Sequence, residues 1–339
     1  MLEIALILTE YDEMYEEIAF RFIEHFVWIT YAMDRMGDSH ESMWDEQDGF
    51  FYDLIHFPNG DAMRLKIRSM VGLLPLCAAT VFDNETVLSH PRILELVNLF
   101  KKRHPDVIQR IAAADDVKVG GYMGRRLLTV ANKAKLLRIL HYMLDENEFL
   151  SPYGIRSLSK YHHKHPFVFY LHGKEYKVEY LPAESNTGMF GGNSNWRGPI
   201  WMPVNGLIIR GLLQMYPFYG PDFKVECPTG SGKYVTLFEV AKEIGRRNAS
   251  IFLRDTSGNR PVYGGSMKFQ DDPHWKDYIL YYEYFHGDNR AGLGASHQTG
   301  WTGLVARELD LFARLNREDL LRASKGVMAE ITRQQVAGA

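Results

Sequence analysis

The sequence predicts a mainly α-helical fold, and three observations predict it. Apolar side chains recur at three- and four-residue spacing along most of the chain, the period of an amphipathic helix. Strand signals are short and fall in pairs between the helical stretches. No linker, low-complexity tract or short repeat divides the 339 residues, so one domain is expected over 1–316, followed by a helix and tail over 317–339.

The elements follow in order. A first helix is expected from Leu2 to about Arg35, with Ile18, Phe22 and Phe26 on one face. It opens with no Ser, Thr, Asp or Asn to cap it and is apolar nearly all round at Leu2, Ile4, Ala5, Leu6 and Leu8. Natural domains rarely begin inside a buried helix, so residues are expected to have preceded Met1. Strands at 51–57 and 62–67 flank Pro58-Asn59-Gly60-Asp61, a hairpin signal. Helices are expected around 72–81, 91–110 and 132–144, the last burying Leu136, Leu137, Leu140 and Leu144. A second hairpin pairs 167–171 with 176–181 across His172-Gly173-Lys174-Glu175. Helices at 200–216, 237–254, 300–315 and 317–333 complete the set. Long structured loops between helices tend to carry function. The (α/α) toroids have this habit, with inner helices ringing an axis and the loops at one end building the site.

Composition narrows the function. The chain is 46% hydrophobic and 24% charged, ordinary for a protein with a substantial core. A formal net charge of -3 gives no broad electrostatic case for nucleic acid. Cys77 and Cys227 are too few for a disulfide scaffold and fit a reducing compartment. The apolar start is short, lacks a basic residue and runs into Glu10, Asp12 and Glu13, unlike a signal peptide. No apolar stretch is long enough to span a membrane, and a cytoplasmic location is expected.

Two aromatic, glycine-rich loops stand out, one from Glu184 through Trp196-Arg197-Gly198-Pro199-Ile200-Trp201, the other from Tyr281-Tyr282-Glu283-Tyr284-Phe285 to His297-Gln298-Thr299-Gly300-Trp301. Each sets a carboxylate beside aromatic rings. Sugars want flat apolar faces for their C–H surfaces and fixed polar groups for their hydroxyls, and a carboxylate among them is a proton-transfer candidate. The competing reading is that Gly, Asn and Trp build turns and fill a core.

Glu283, among Tyr281, Tyr282, Tyr284 and Phe285, is the first candidate, because partial burial could raise its pKa toward that of a general base; otherwise it is a surface acid. Glu184 could bind a sugar hydroxyl or position water; otherwise it is a salt-bridged loop acid. Trp44-Asp45-Glu46-Gln47-Asp48 with Asp53 offers oxygen ligands for Ca²⁺, but without the spacing of the twelve-residue calcium loop. His162, His163, His165 and His172 have no nearby cysteine partner for zinc. Pro228-Thr229-Gly230-Ser231-Gly232-Lys233 fails as a phosphate loop, because Cys227 and Tyr234 stand where Gly and Ser or Thr are required. Ser296-His297 lacks a nucleophile elbow. No metal or cofactor is expected.

Three segments carry a resemblance: 44–53; Asn195-Trp196-Arg197-Gly198-Pro199-Ile200-Trp201 with Asn205; and His297-Gln298-Thr299-Gly300-Trp301-Thr302. Together they resemble glycoside hydrolase family 63, the processing α-glucosidases and bacterial relatives acting on α-glucosides or mannosylglycerate, over nearly the whole chain. The resemblance implies an (α/α)6 toroid and an inverting mechanism: one carboxylic acid protonates the leaving oxygen, and a second carboxylate activates water on the opposite face. It implies Glu283 as general base and Trp196, Arg197, Trp201 and Trp301 as pocket residues, with Glu184 a loop acid nearby. Trp44, Asn205 and His297 complete the implied substrate-binding set. The family's general acid lies upstream of the helix that begins this chain, and the toroid needs about four helices more than are counted. The expectation is therefore a C-terminal part of an α-glycosidase lacking its acid, taking an oligosaccharide or small α-glycoside. The rivals are a carbohydrate-binding remnant of the same fold and an interaction domain.

Overall fold

The computed structural model describes residues 1–35, 41–83, 89–113, 120–186 and 196–322. Residues 187–195 of the first glycine-rich loop, and the expected terminal helix and tail beyond 322, lie outside the described residues.

The described residues are mainly helical, with small two-stranded antiparallel sheets between the helices. The first helix is two, α1 (Leu2–Leu8) and α2 (Tyr15–Asp34). The polar run between them supplies local partners that compete with the helix. Thr9 Oγ1 donates back to Leu6 O at 2.6 Å, and Asp12 Oδ1 accepts the Met14 N–H at 2.9 Å.

The helix expected around 72–81 is the largest departure. Two 3₁₀ turns, Met70–Gly72 and Leu74–Cys77, lead into a strand, Ala79–Phe82, paired with Arg126–Thr129. Pro75 removes a backbone donor where a helix needs one, and Ala-Thr-Val-Phe suits a half-buried strand. The expected 91–110 helix breaks at His104, ahead of Pro105, into α3 (Pro91–Arg103) and α4 (Pro105–Ala113). The hairpins form at Asp53–His56 with Ala62–Leu65, and at Phe167–Leu171 with Lys174–Val178. The second turns through His172 and Gly173, both at positive φ, the geometry of a tight two-residue turn.

Three helices form the centre. Helix α5 (Lys133–Met143) starts on Asn132, whose side chain accepts the Lys135 N–H. Helix α6 (Met202–Tyr219) is buried on most of its circumference. Helix α7 (Leu237–Ser250) opens on a capping box between Thr236 and Glu239. Leu136, Leu140 and Met143 of α5, Ile208, Leu212 and Met215 of α6, and Val240 and Ile244 of α7 meet in the main core. Gly211 lets α6 approach the 3₁₀ turn, since a Cβ there would stand 2.5 Å from Leu76 O.

The short helix α8 (Met267–Asp271) precedes a final group: α9 (Thr299–Thr302), α10 (Leu304–Arg314) and α11 (Arg317–Arg322). A second core holds Ile200, Met202, Phe252, Val262, Phe285 and Val305, and joins the two loops singled out by sequence. Among the described residues no helix is long and apolar enough to cross a membrane.

Candidate functional site

Backbone pairing brings the two aromatic loops together. Ile200 and Phe285 exchange both hydrogen bonds, Ile200 N to Phe285 O at 2.8 Å and Phe285 N to Ile200 O at 3.0 Å. That bridge seats Trp201, one residue on, beside Tyr284, one residue back.

The result is a stack of rings. Trp196 lies on Trp201 with centroids 4.0 Å apart and planes 16° from parallel. Tyr284 stacks on Trp201 at 4.8 Å. Trp301 meets Trp201 edge-on at 6.2 Å and 90°. Trp201 is the buried centre, at 5% exposure, whereas Trp301 keeps 38% of its surface open and Trp196 is half-buried. The accessible faces are therefore those of Trp301 and Trp196, and Trp201 holds them in place.

Both candidate carboxylates reach this stack. Glu184, exposed, accepts the Tyr284 hydroxyl at 2.9 Å. Burial first, then the hydrogen bond and charge of Glu184, raise the Tyr284 pKa, so its hydroxyl stays protonated as a donor. Glu283 is half-buried; its Oε2 accepts the Ala295 N–H at 3.4 Å, and its backbone carbonyl accepts the Trp301 indole N–H at 3.1 Å. Gly294, at φ +72°, makes room for both: a Cβ there would stand 2.7 Å from Tyr284 Cε1 and 2.8 Å from Glu283 Oε2. The Thr302 hydroxyl donates to Tyr282 O, pinning the loop from its other end.

A polar network at Asp288 braces the second loop. Arg156 Nη2, Lys160 Nζ and the Tyr180 hydroxyl each donate to Asp288 Oδ1 at 3.1 Å. Burial works to raise the Asp288 pKa, but the Lys160 hydrogen bond and the Arg156 charge outweigh it and hold the carboxyl below its ordinary range. Asp288, Arg156 and Tyr180 carry no local sequence signal; only Gly287-Asp288, a turn pair, marks the place.

The remaining expected residues are distributed differently. His297 is exposed at the rim, its backbone bridged to Tyr281. Arg197 is 1% exposed, with Nη1 donating to Asn186 Oδ1 at 3.2 Å. Asn205 is fully buried: its Oδ1 accepts the Ile155 N–H at 2.7 Å, and its Nδ2 donates to Ile155 O at 3.1 Å and Trp201 O at 3.0 Å. Its amide thus ties the strand Gly154–Ile155 to the start of α6 and presents nothing to a ligand. Trp44 lies in the main core against Phe51, with centroids 5.0 Å apart, and near Lys135, away from the stack.

The cation readings have no geometry. Asp45 already binds Arg64 and Lys66 and accepts the Asp48 N–H. Buried His162 donates from Nδ1 to His165 O and accepts the Arg68 N–H on Nε2. Among the described residues no group of three or more His, Cys, Asp or Glu is arranged to hold a metal ion.

Comparison with known proteins gives the family relation of a chain with these rings, flanking carboxylates and helical frame. Residues 121–229 match the family model described as glycosyl hydrolase family 63 C-terminal domain, so the chain is related to family 63, as its motifs suggested. It is 47% identical over 321 residues, 91% of this chain, to the uncharacterized protein YMR196W of Saccharomyces cerevisiae. It is 37% identical over 90 residues to a probable mannosyl-oligosaccharide glucosidase of Schizosaccharomyces pombe. It is 25% identical over 181 residues, 53% of this chain, to the mannosyl-oligosaccharide glucosidase of Saccharomyces cerevisiae. The chain spans 29%, 8% and 16% of the lengths of these three relatives.

Proposed function

We propose that the chain belongs to an inverting α-glycosidase acting on α-glucosidic bonds, built on the (α/α)6 toroid of its family, with Glu283 as general base. The observation that carries this is the convergence of Glu283, Glu184 and the Trp196–Trp201–Tyr284–Trp301 rings on one rim.

In this scheme a sugar ring lies against the open face of Trp301 or Trp196, and the exposed Glu184 accepts hydrogen bonds from its hydroxyls. Glu283 takes a proton from a water molecule as that oxygen bonds to the anomeric carbon. The glycosidic bond breaks from the opposite side, its oxygen taking a proton from a second carboxylic acid, so the product has inverted configuration. The Ala295 N–H fixes the orientation of the Glu283 carboxylate. Tyr284 positions Glu184. Because two relatives bear the name mannosyl-oligosaccharide glucosidase, a glucose-capped mannosyl oligosaccharide belongs in the substrate panel.

The test is proton NMR of the anomeric signals as the protein meets α-glucosides, that oligosaccharide and mannosylglycerate. Wherever a substrate is turned over, the proposal expects the inverted anomer to appear first. Glu283→Gln should abolish turnover and leave sugar binding within a fewfold. Full activity in Glu283→Gln removes Glu283 from the base role. Saturable binding without hydrolysis by the unaltered protein makes the site a binding module.

A further inference from the structure

Beyond the aromatic rim, one buried acid has no part in the chemistry above. Glu308 lies on α10 at 4% exposure, facing Asn248 of α7, which is fully buried. Asn248 Nδ2 donates to Glu308 Oε2 at 2.9 Å. The other oxygen of each group, Glu308 Oε1 and Asn248 Oδ1, is buried without a hydrogen-bond partner. Both face glycines: a Cβ on Gly206 would stand 3.5 Å from Glu308 Oε1, and one on Gly154 would stand 2.4 Å from Asn248 Oδ1.

Two buried acceptors left over on one bonded pair is a costly arrangement. A single proton removes the cost. We infer that Glu308 is held as a neutral carboxylic acid whose Oε1–H donates to Asn248 Oδ1 while Asn248 Nδ2–H donates to Glu308 Oε2, a reciprocal acid–amide clip that joins α10 to α7 and is lost when Glu308 ionises.

The surroundings agree. Among the described residues no cation faces this carboxyl. On α7, Arg247 is committed to Glu146, Glu243 and Ser151 O. On α6, Arg210 pairs with Glu3. On α10 itself, Arg307 and Arg314 pair with Asp310. Helix α9 carries no charged side chain. Burial, opposed only by the Asn248 hydrogen bond, pushes the Glu308 pKa up to about 7 from an ordinary 4.5.

The clip lies on the helix that follows the Trp301 turn of the aromatic rim. Only Gly303 separates α9, which carries Trp301 and Thr302, from α10, which carries Glu308. The state of Glu308 therefore sets how firmly the helix behind the Trp301 loop is held to the central helices. This holds whether the rim hydrolyses sugars or only binds them.

The test uses the whole protein, with no ligand. Infrared difference spectra between pH 5 and pH 9 should show a protonated-carboxyl band lost with a midpoint near 7, present in the unaltered protein and missing in Glu308→Gln. The glutamine keeps both hydrogen bonds and cannot ionise. In denaturant unfolding, the folding equilibrium constant of the unaltered protein relative to Glu308→Gln should fall about tenfold per pH unit between about 4.5 and 7, and level off above. The clip is refuted by a ratio constant across that range. Absence of the band at pH 5 refutes it without reliance on any variant.

Discussion

Asn205→Ala separates scaffold from ligand contact at a residue that the sequence placed in the sugar pocket. In the two-stranded sheet that joins Leu150–Ser151 to Gly154–Ile155, the Ile155 N–H donates to Asn205 Oδ1 and the Ile155 C=O accepts from Asn205 Nδ2. Alanine leaves that donor and acceptor buried and unpaired, since Ile155 is 2% exposed. Each such group costs about 1–3 kcal/mol. Trp201 O loses less, because it keeps the Asn205 backbone N–H at 3.1 Å. The two Ile155 groups together predict a loss of about 2–6 kcal/mol, enough to shift a urea midpoint by a molar or more at ordinary slopes. The assay is urea unfolding beside sugar affinity measured on the folded fraction. Affinity per folded molecule should stay within a fewfold. An unchanged midpoint with abolished binding would refute the reasoning and put the amide at the ligand.

Two further predictions follow from the rim and from the buried histidine. Gly294→Ala places a methyl against Glu283 Oε2 and Tyr284 at a positive φ, so sugar turnover or affinity should fall tenfold or more for a stability cost of about 1–2 kcal/mol; unchanged sugar handling would show that the Glu283 carboxylate is not where the site needs it. Burial, with the Arg68 charge acting in the same sense, lowers the His162 pKa below its ordinary 6.5, so its contribution to stability is complete above that value and lost as pH falls through the lower folded value. His162→Gln should therefore flatten the acid side of a stability–pH curve, and an unaltered curve would free His162 from the role.

The helices were legible where the apolar period was sustained, as in α5 and α7; their starting caps, Asn132 and Thr236, came from the structure. The hairpins were legible from Asn59-Gly60 and His172-Gly173, because those turns need positive φ or residues that tolerate it. The segment around 72–81 was misread because a short apolar run does not distinguish strand from helix, and its partner, Arg126–Thr129, lies far along the chain. At the rim, residue types gave the rings and acids but not the division of labour. Trp201 and Trp301 look alike in sequence, yet one is the buried hub and the other the open face. Asn205 sits in a motif beside the site and serves its backbone. Asp288, with three donors on one oxygen, drew no notice because those donors lie 108 or more residues away in sequence.

Glu308 and His162 are buried titratable groups of opposite sign, which decides how their contributions to stability against pH must be read. Glu308 has a raised folded pKa, so its contribution is complete below about 4.5 and lost by about 7; the interval is worth about 3 kcal/mol, as an upper bound for a group able to relax. His162 has a lowered folded pKa, so its contribution is complete above 6.5 and lost on acidification. As pH rises from the lowered folded value of His162 to 6.5, the Glu308 contribution falls while that of His162 grows. A nearly level curve for the unaltered protein would therefore conceal two opposing slopes. Glu308→Gln should leave the histidine slope standing, with stability declining as pH drops. His162→Gln should leave the glutamate slope, with stability declining as pH rises. The two sites are served by separate packing, His162 by Arg68 and His165 and Glu308 by Asn248, so the effects of the two substitutions should add in the double variant. A double variant that departs from the sum of the two single effects would show that the two groups are coupled and overturn their separate assignment.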